Sequence, residues 1–318
     1  MAVGLALLGI ALGLRAVEGK TFLYADLQHF FQFAEVAFTR DHAEYYASVA
    51  DQRYTYAHLP LFPLMLAPVV RVYRALGWEP ILAVKTLVHV FDVGTAILLI
   101  RLARRNGLPR AAALGVGALW LYAPWVYEAG ALNGHVASVA AFFLVAGLLR
   151  AGVAWQAGIL LALAFTTRSE LLVAALAMGG VYARRGRGAL GAYALGAGGV
   201  FAVVVGPYLV RDAAALHWGV VGHLAGRGDG LPVLRSFIQT ATGAFPDALA
   251  GPQDWAMPVA LGIAILVGLV ERDPSGAVFR ASLVYALALT LGHGRYFVFP
   301  LVAGLAFGAR PWVIVGLA

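Results

Sequence analysis

Three short stretches carry side chains able to do chemistry in an otherwise oily chain. An aspartate, Asp26, stands directly behind the first apolar run. Next comes an aromatic-His-Pro cluster, Tyr54-Thr55-Tyr56-Ala57-His58-Leu59-Pro60-Leu61-Phe62-Pro63. Late in the chain, Gly292-His293-Gly294-Arg295-Tyr296 sets an imidazole and a guanidinium among glycines. A carboxylate at a membrane boundary is partly desolvated and can act as a general base. Asp26 also reads as a helix N-cap or a solvated loop carboxylate, and spacing does not decide between these. In the 292–296 stretch, glycines let backbone N–H groups approach an anion, and arginine offers a bidentate fork. The same residues also make an ordinary interfacial turn.

Weaker candidates lie between these. Leu121-Tyr-Ala-Pro-Trp125 is followed by Glu128 and then Gly130-Ala-Leu-Asn133-Gly134-His135, a turn with polar caps or a substrate contact. In Phe165-Thr-Thr-Arg168-Ser-Glu170 a charged pair sits between two apolar runs, which is expensive at a bilayer edge unless satisfied. Arg168 either binds a phosphate or pairs with Glu170. Lys85, His89 and Asp92 fall on one helical face at i, i+4 and i+7. They either serve a buried function or tie that helix to a neighbour. His217 and His223 lack the i, i+4 spacing of a helical metal pair, so no metal is expected there. The arginine-rich turn at 184–187 reads as a topology signal.

The elements that must position these groups are apolar helices. The chain of 318 residues is 61% hydrophobic and 12% charged, with a mean hydropathy of +0.81. Soluble domains carry about 25% charged residues, so the composition predicts an integral membrane protein. There is no cysteine, which excludes disulfides, thiol nucleophiles and thiolate metal sites. The net charge of +7 comes from arginines in short turns and does not point to nucleic acid. The first run, 2–18, lacks a basic leader and reads as a retained helix.

The predicted fold is all-α and polytopic, one membrane domain over 1–318. About ten spans are expected, at 2–18, 81–100, 111–127, 133–149, 153–168, 169–183, 189–210, 256–270, 278–292 and 296–310. The pair 153–168 and 169–183 also reads as one broken unit. A long first outer loop covers 20–80 and a second covers 211–255, the latter a lid or acceptor-binding element. The apolar run 59–70 contains Pro60, Pro63 and Pro68 and is followed by Arg71 and Arg74. Twelve helical residues cover about 18 Å against a hydrocarbon core of about 30 Å. If 59–78 does not cross, the basic turns 101–110, 150, 184–187, 272–280 and 310 all share one side. The positive-inside rule makes that side cytoplasmic, with the N-terminus. Among the acidic residues only Glu271 and Asp273 then fall in cytoplasmic turns, and every histidine falls on the outer side. Phe30, Phe33, Ala34 and Ala37 are spaced as one face of a surface helix over 27–38.

Taken together, Asp26, Glu44-Tyr45-Tyr46 and the segment Tyr54–Pro68 resemble a known pattern. GT-C type membrane glycosyltransferases place an aspartate after the first helix and follow it with a long outer loop ending in a Tyr-Pro-Pro-Leu-like motif. The polyprenyl-phosphate mannosyltransferase branch (DUF2029, glycosyltransferase family 87) is most similar, although His58-Leu59 stands where Tyr-Pro or Pro-Pro is usual. The 165–170 turn is similar to a "T-R-P-E" turn of these enzymes, and 293–300 to a late "H..RY..P" turn. The resemblance implies inverting transfer of a mannose-like hexose from a polyprenyl-phosphate donor to an acceptor hydroxyl on a glycan, lipid or protein. It implies Asp26 as base, with Arg295, His293 and Arg168 on the donor phosphate. Tyr54, Tyr56, His58, Glu128, Asn133, His135 and Tyr296 would contact substrate. It implies no cofactor and no obligatory metal, and a bacterial inner membrane with the site on the outer face. Two other readings stand beside it: a transporter or flippase of a lipid-linked substrate, and a non-catalytic protein of the same fold.

Overall fold

The computed structural model describes residues 25–37, 59–80, 82–123, 126, 136–217, 256–289, 302 and 304. At 25–29, 217, 256–258 and 286–289 the description is of the backbone. Every regular element among the described residues is helical. In chain order these are α1 (Ala25–Val36), α2 (Leu61–Ala75), α3 (Leu82–Arg105), α4 (Arg110–Tyr122) and α5 (Ala137–Leu149). Then come α6 (Ala154–Thr167), a 3-10 turn (Ser169–Leu171), α7 (Leu172–Arg185), α8 (Arg187–Val204) and α9 (Gly206–His217). The last two are α10 (Ala256–Val270) and α11 (Pro274–Leu289).

The expected spans from 81 to 292 coincide with helices α3 to α8, α10 and α11, but most of these are short. Among the described residues two helices, Leu82–Arg105 and Arg187–Val204, are long and apolar enough to cross a membrane by length and composition. At 1.5 Å per residue they reach about 36 and 27 Å. Helices α5 and α6 have 13 and 14 residues, short of the about 17 that a crossing requires. The unit around 168 is two helices: Tyr182, near the end of α7, donates from its hydroxyl to the Ala151 carbonyl just before α6. The expected boundary at 210 moves. Helix α8 stops at Val204, and the helical stretch that follows, Gly206–His217, is kinked at Asp212 (φ −157°, ψ 88°), whose carboxylate accepts from the Ala215 N–H. Pro207, which has no N–H to continue the ladder, accounts for the break.

Arginines hold one end of the bundle together. Arg105 donates to the Leu149 carbonyl at 2.9 Å and Arg185 to the Ala151 carbonyl at 2.7 Å. Arg184 donates to the carbonyls of Val270 and Arg272 at 3.2 and 3.4 Å. Arg280 pairs with Glu271. The C-termini of α3, α5, α7 and α10 therefore meet at this end, where cations favour the exposed carbonyls of the helix dipoles. The turns 101–110, 150, 184–187 and 270–280 share it, as the charge pattern predicts.

Glycines permit the closest crossings. A Cβ on Gly268 would run into the Ala177 backbone, and one on Gly180 would lie 2.7 Å from the Ile265 carbonyl oxygen. Helices α7 and α10 thus pack backbone to backbone, as small residues allow between apolar helices. Gly158 of α6 and Gly196 of α8 do the same for that pair.

Candidate functional site

The end of the bundle opposite the arginines gathers α1, α2 and the termini that α3, α5, α6 and α8 turn away from the basic end. Their apolar side chains form one cluster. It holds Phe30 and Phe33 of α1, Phe62 and Leu66 of α2, Val84 and Val88 of α3, and Val139 of α5. Val204, Val205 and Tyr208 complete it. The face expected on the first helix is the buried one, since Phe30, Phe33, Ala34 and Ala37 are each 2% exposed or less.

Helices α1 and α2 run side by side in the same direction. Phe30, midway along α1, meets Phe62 at the start of α2 edge-on with centroids 5.0 Å apart. Near their ends, Arg71 donates to the Ala37 carbonyl at 3.3 Å and Arg74 pairs with Glu35. Arg74 also lies 5.8 Å from the Phe31 ring. Asp26 belongs to the first turn of α1, one turn before Phe30. Parallel docking therefore puts the Asp26 turn toward the N-terminal end of α2. Pro60 is the N-cap of α2, and Leu59 and Leu61 beside it are buried. Proline suits this place because the first helical N–H groups have no intrahelical acceptor. Segment 59–78 forms an amphipathic helix of 15 residues, about 22 Å long and too short to cross.

Arg168 takes the form of one of its two sequence readings. Its Nε donates to Glu170 Oε2 at 3.0 Å and its Nη2 to Glu170 Oε1, a two-point pair with both side chains at most 5% exposed. The backbone makes this possible. Helix α6 ends at Thr167, Arg168 is extended (φ −139°, ψ 115°), and the 3-10 turn follows at once. Thr166 and Thr167 donate back to the carbonyls of Ala162 and Leu163, each at 2.7 Å, closing the last turn of α6. A buried ion pair needs this bidentate geometry to offset its desolvation.

The polar face of α3 points inward. Lys85 and Asp92 are buried, with Asp92 fully so, and His89 is half-buried. Trp120 of α4 donates from Nε1 to the Asp92 carbonyl at 3.2 Å. Thr95 donates to the Phe91 carbonyl at 2.8 Å. Tyr73 of α2 and Thr86 of α3 share a 2.5 Å hydroxyl hydrogen bond that ties the docked pair to the bundle.

No known protein-family model matches the chain, and no curated protein matches it. The site therefore stands on its own residues. Tyr54, Tyr56, His58, Glu128, Asn133, His135, His293, Arg295 and Tyr296 lie outside the described residues, as does most of the 211–255 loop. Of the sequence candidates, the structure brings the Asp26 turn to the entry of α2 and pairs Arg168 with Glu170. Sequence reasoning missed the Glu35–Arg74 pair and the arginine bonds at 149–151. Long-range partners of this kind leave no local spacing to read.

Proposed function

We propose that this chain is a membrane-embedded glycosyltransferase. It moves a mannose-like hexose from a polyprenyl phosphate to an acceptor hydroxyl on the outer face of a bacterial inner membrane. The observation that carries this reading is the parallel docking of α1 on α2, which brings the Asp26 turn toward the N-terminal end of α2, at Pro60. Two further features support it. Basic turns collect at one end of the bundle, the cytoplasmic end by the positive-inside rule. On α8, Leu195 and Val203 are 79% and 77% exposed, which suits lipid and not water.

In this reading the acceptor hydroxyl attacks the anomeric carbon from the face opposite the phosphate. Its proton passes to the Asp26 carboxylate as the new C–O bond forms. The anomeric bond to the phosphate oxygen breaks, and the lipid phosphate leaves with the electron pair. Arg295 and His293 offset the charge gathering on that phosphate, with Arg168 as the alternative cation. Tyr54, Tyr56, His58, Glu128, Asn133, His135 and Tyr296 line the substrates. A lipid phosphate is already a fair leaving group, so the chemistry requires no metal. The test is transfer of labelled sugar from a synthetic polyprenyl-phosphate hexose in membranes holding the protein, with the product separated from donor.

One observation favours a second reading. Lys85 and Asp92 are buried two turns apart on a helix long enough to cross, and ionisable groups so placed mark transport paths in carriers. Movement of labelled lipid-linked sugar across liposomes without any covalent product would select that reading.

A further inference from the structure

Three arginines converge on the α5–α6 turn with no carboxylate among them. Arg105 bonds the Leu149 carbonyl at 2.9 Å, and Arg185 bonds the Ala151 carbonyl at 2.7 Å. Arg150 stands between those two acceptors in the chain and is exposed. Among the described residues none of Arg105, Arg150 and Arg185 makes an ion pair. Two of the three guanidiniums are fixed in place by one nitrogen each. Arg185 is held further over the Tyr182 ring, 5.0 Å from its centroid. Arginine forks so held are prepared for phosphate oxygens, because little side-chain freedom remains to be lost. Immediately beside them, Val153 and Trp155 are 40% and 51% exposed. An exposed tryptophan next to a basic cluster matches the headgroup level of a bilayer, where indole rings and arginines both settle.

We propose that this turn is a binding site for the anionic headgroup of a phospholipid. The phosphate sits among Arg105, Arg150 and Arg185, and the glycerol and first acyl carbons lie against Val153 and Trp155. A free phosphate would use the arginines alone and would gain nothing from the two exposed apolar side chains. The inference rests on the membrane part of the reading above and is independent of the transfer reaction.

Native mass spectrometry of the full chain, released from detergent containing equal phosphatidylglycerol and phosphatidylcholine of matched acyl chains, tests it. The wild type retains phosphatidylglycerol in preference to phosphatidylcholine. Arg150→Gln leaves both carbonyl bonds in place, so folding is kept, and lowers that preference about fivefold, the effect of one arginine at an anionic surface. Trp155→Ala lowers retention of the lipid without creating binding of inorganic phosphate. Equal retention of the two lipids by the wild type would overturn the proposal. So would displacement of the lipid by millimolar inorganic phosphate alone, which would make the site one for a free anion. Flotation with phosphatidylcholine vesicles separates the two failures: a protein that does not float with them refutes the membrane reading itself.

Discussion

Phe30 and Phe62 meet edge to face at 5.0 Å, and this contact sets the middle of α1 against the beginning of α2. Both rings are buried. Edge-to-face pairs contribute about 0.5–1.5 kcal/mol beyond their area, and losing a buried phenylalanine costs about 3–5 kcal/mol in all. Phe62→Ala should therefore lower the thermal midpoint of the protein in detergent. Transfer activity should fall more steeply than the folded fraction, since the Asp26 turn loses its support. A parallel fall of the two would mean that the contact serves stability alone.

The Arg168–Glu170 pair makes a sharper stability prediction. Removing one partner leaves a charge in a buried turn, at a cost of about 3–5 kcal/mol. Glu170→Gln should be destabilised on that scale in chemical denaturation. The double variant Arg168→Met with Glu170→Leu should recover most of the loss, because apolar replacements of similar volume carry no desolvation cost.

Glycines separate by their surroundings. Gly268→Ala pushes a methyl group into the Ala177 backbone, and overpacking of this kind costs about 1–3 kcal/mol. Gly198 of α8 has open space where a Cβ would stand. Gly198→Ala should be neutral or stabilising by up to about 1 kcal/mol, the helix preference of alanine over glycine. Thermal unfolding of the two variants side by side checks the contrast.

Much of the helical layout was legible because apolar runs here end in arginine turns. Arg101 to Arg110 and Arg184 to Arg187 punctuate the chain where α3 gives way to α4 and α7 to α8. The inward face of α3 followed from the spacing of Lys85, His89 and Asp92, since residues at i, i+4 and i+7 share a side. The short, non-crossing α2 followed from its prolines and from Arg71 and Arg74. Helix length was less legible. The expected spans 133–149 and 153–168 carry helices of 13 and 14 residues, Ala137–Leu149 and Ala154–Thr167. At Arg168 the sequence offered two partners, phosphate and Glu170, and the extended backbone after Thr167 brings the guanidinium onto Glu170. The Glu35–Arg74 pair, like the hold of Arg105 on Leu149, depends on which helices become neighbours.

The most direct measurement is the rate of sugar transfer by Asp26→Asn in proteoliposomes supplied with a polyprenyl-phosphate hexose and acceptor extract. Asparagine keeps the size of the side chain and cannot take the acceptor proton. The rate should fall about 10²–10⁴-fold, while the thermal midpoint should stay close to that of the wild type. Undiminished transfer by Asp26→Asn would contradict the assignment of Asp26 as the base.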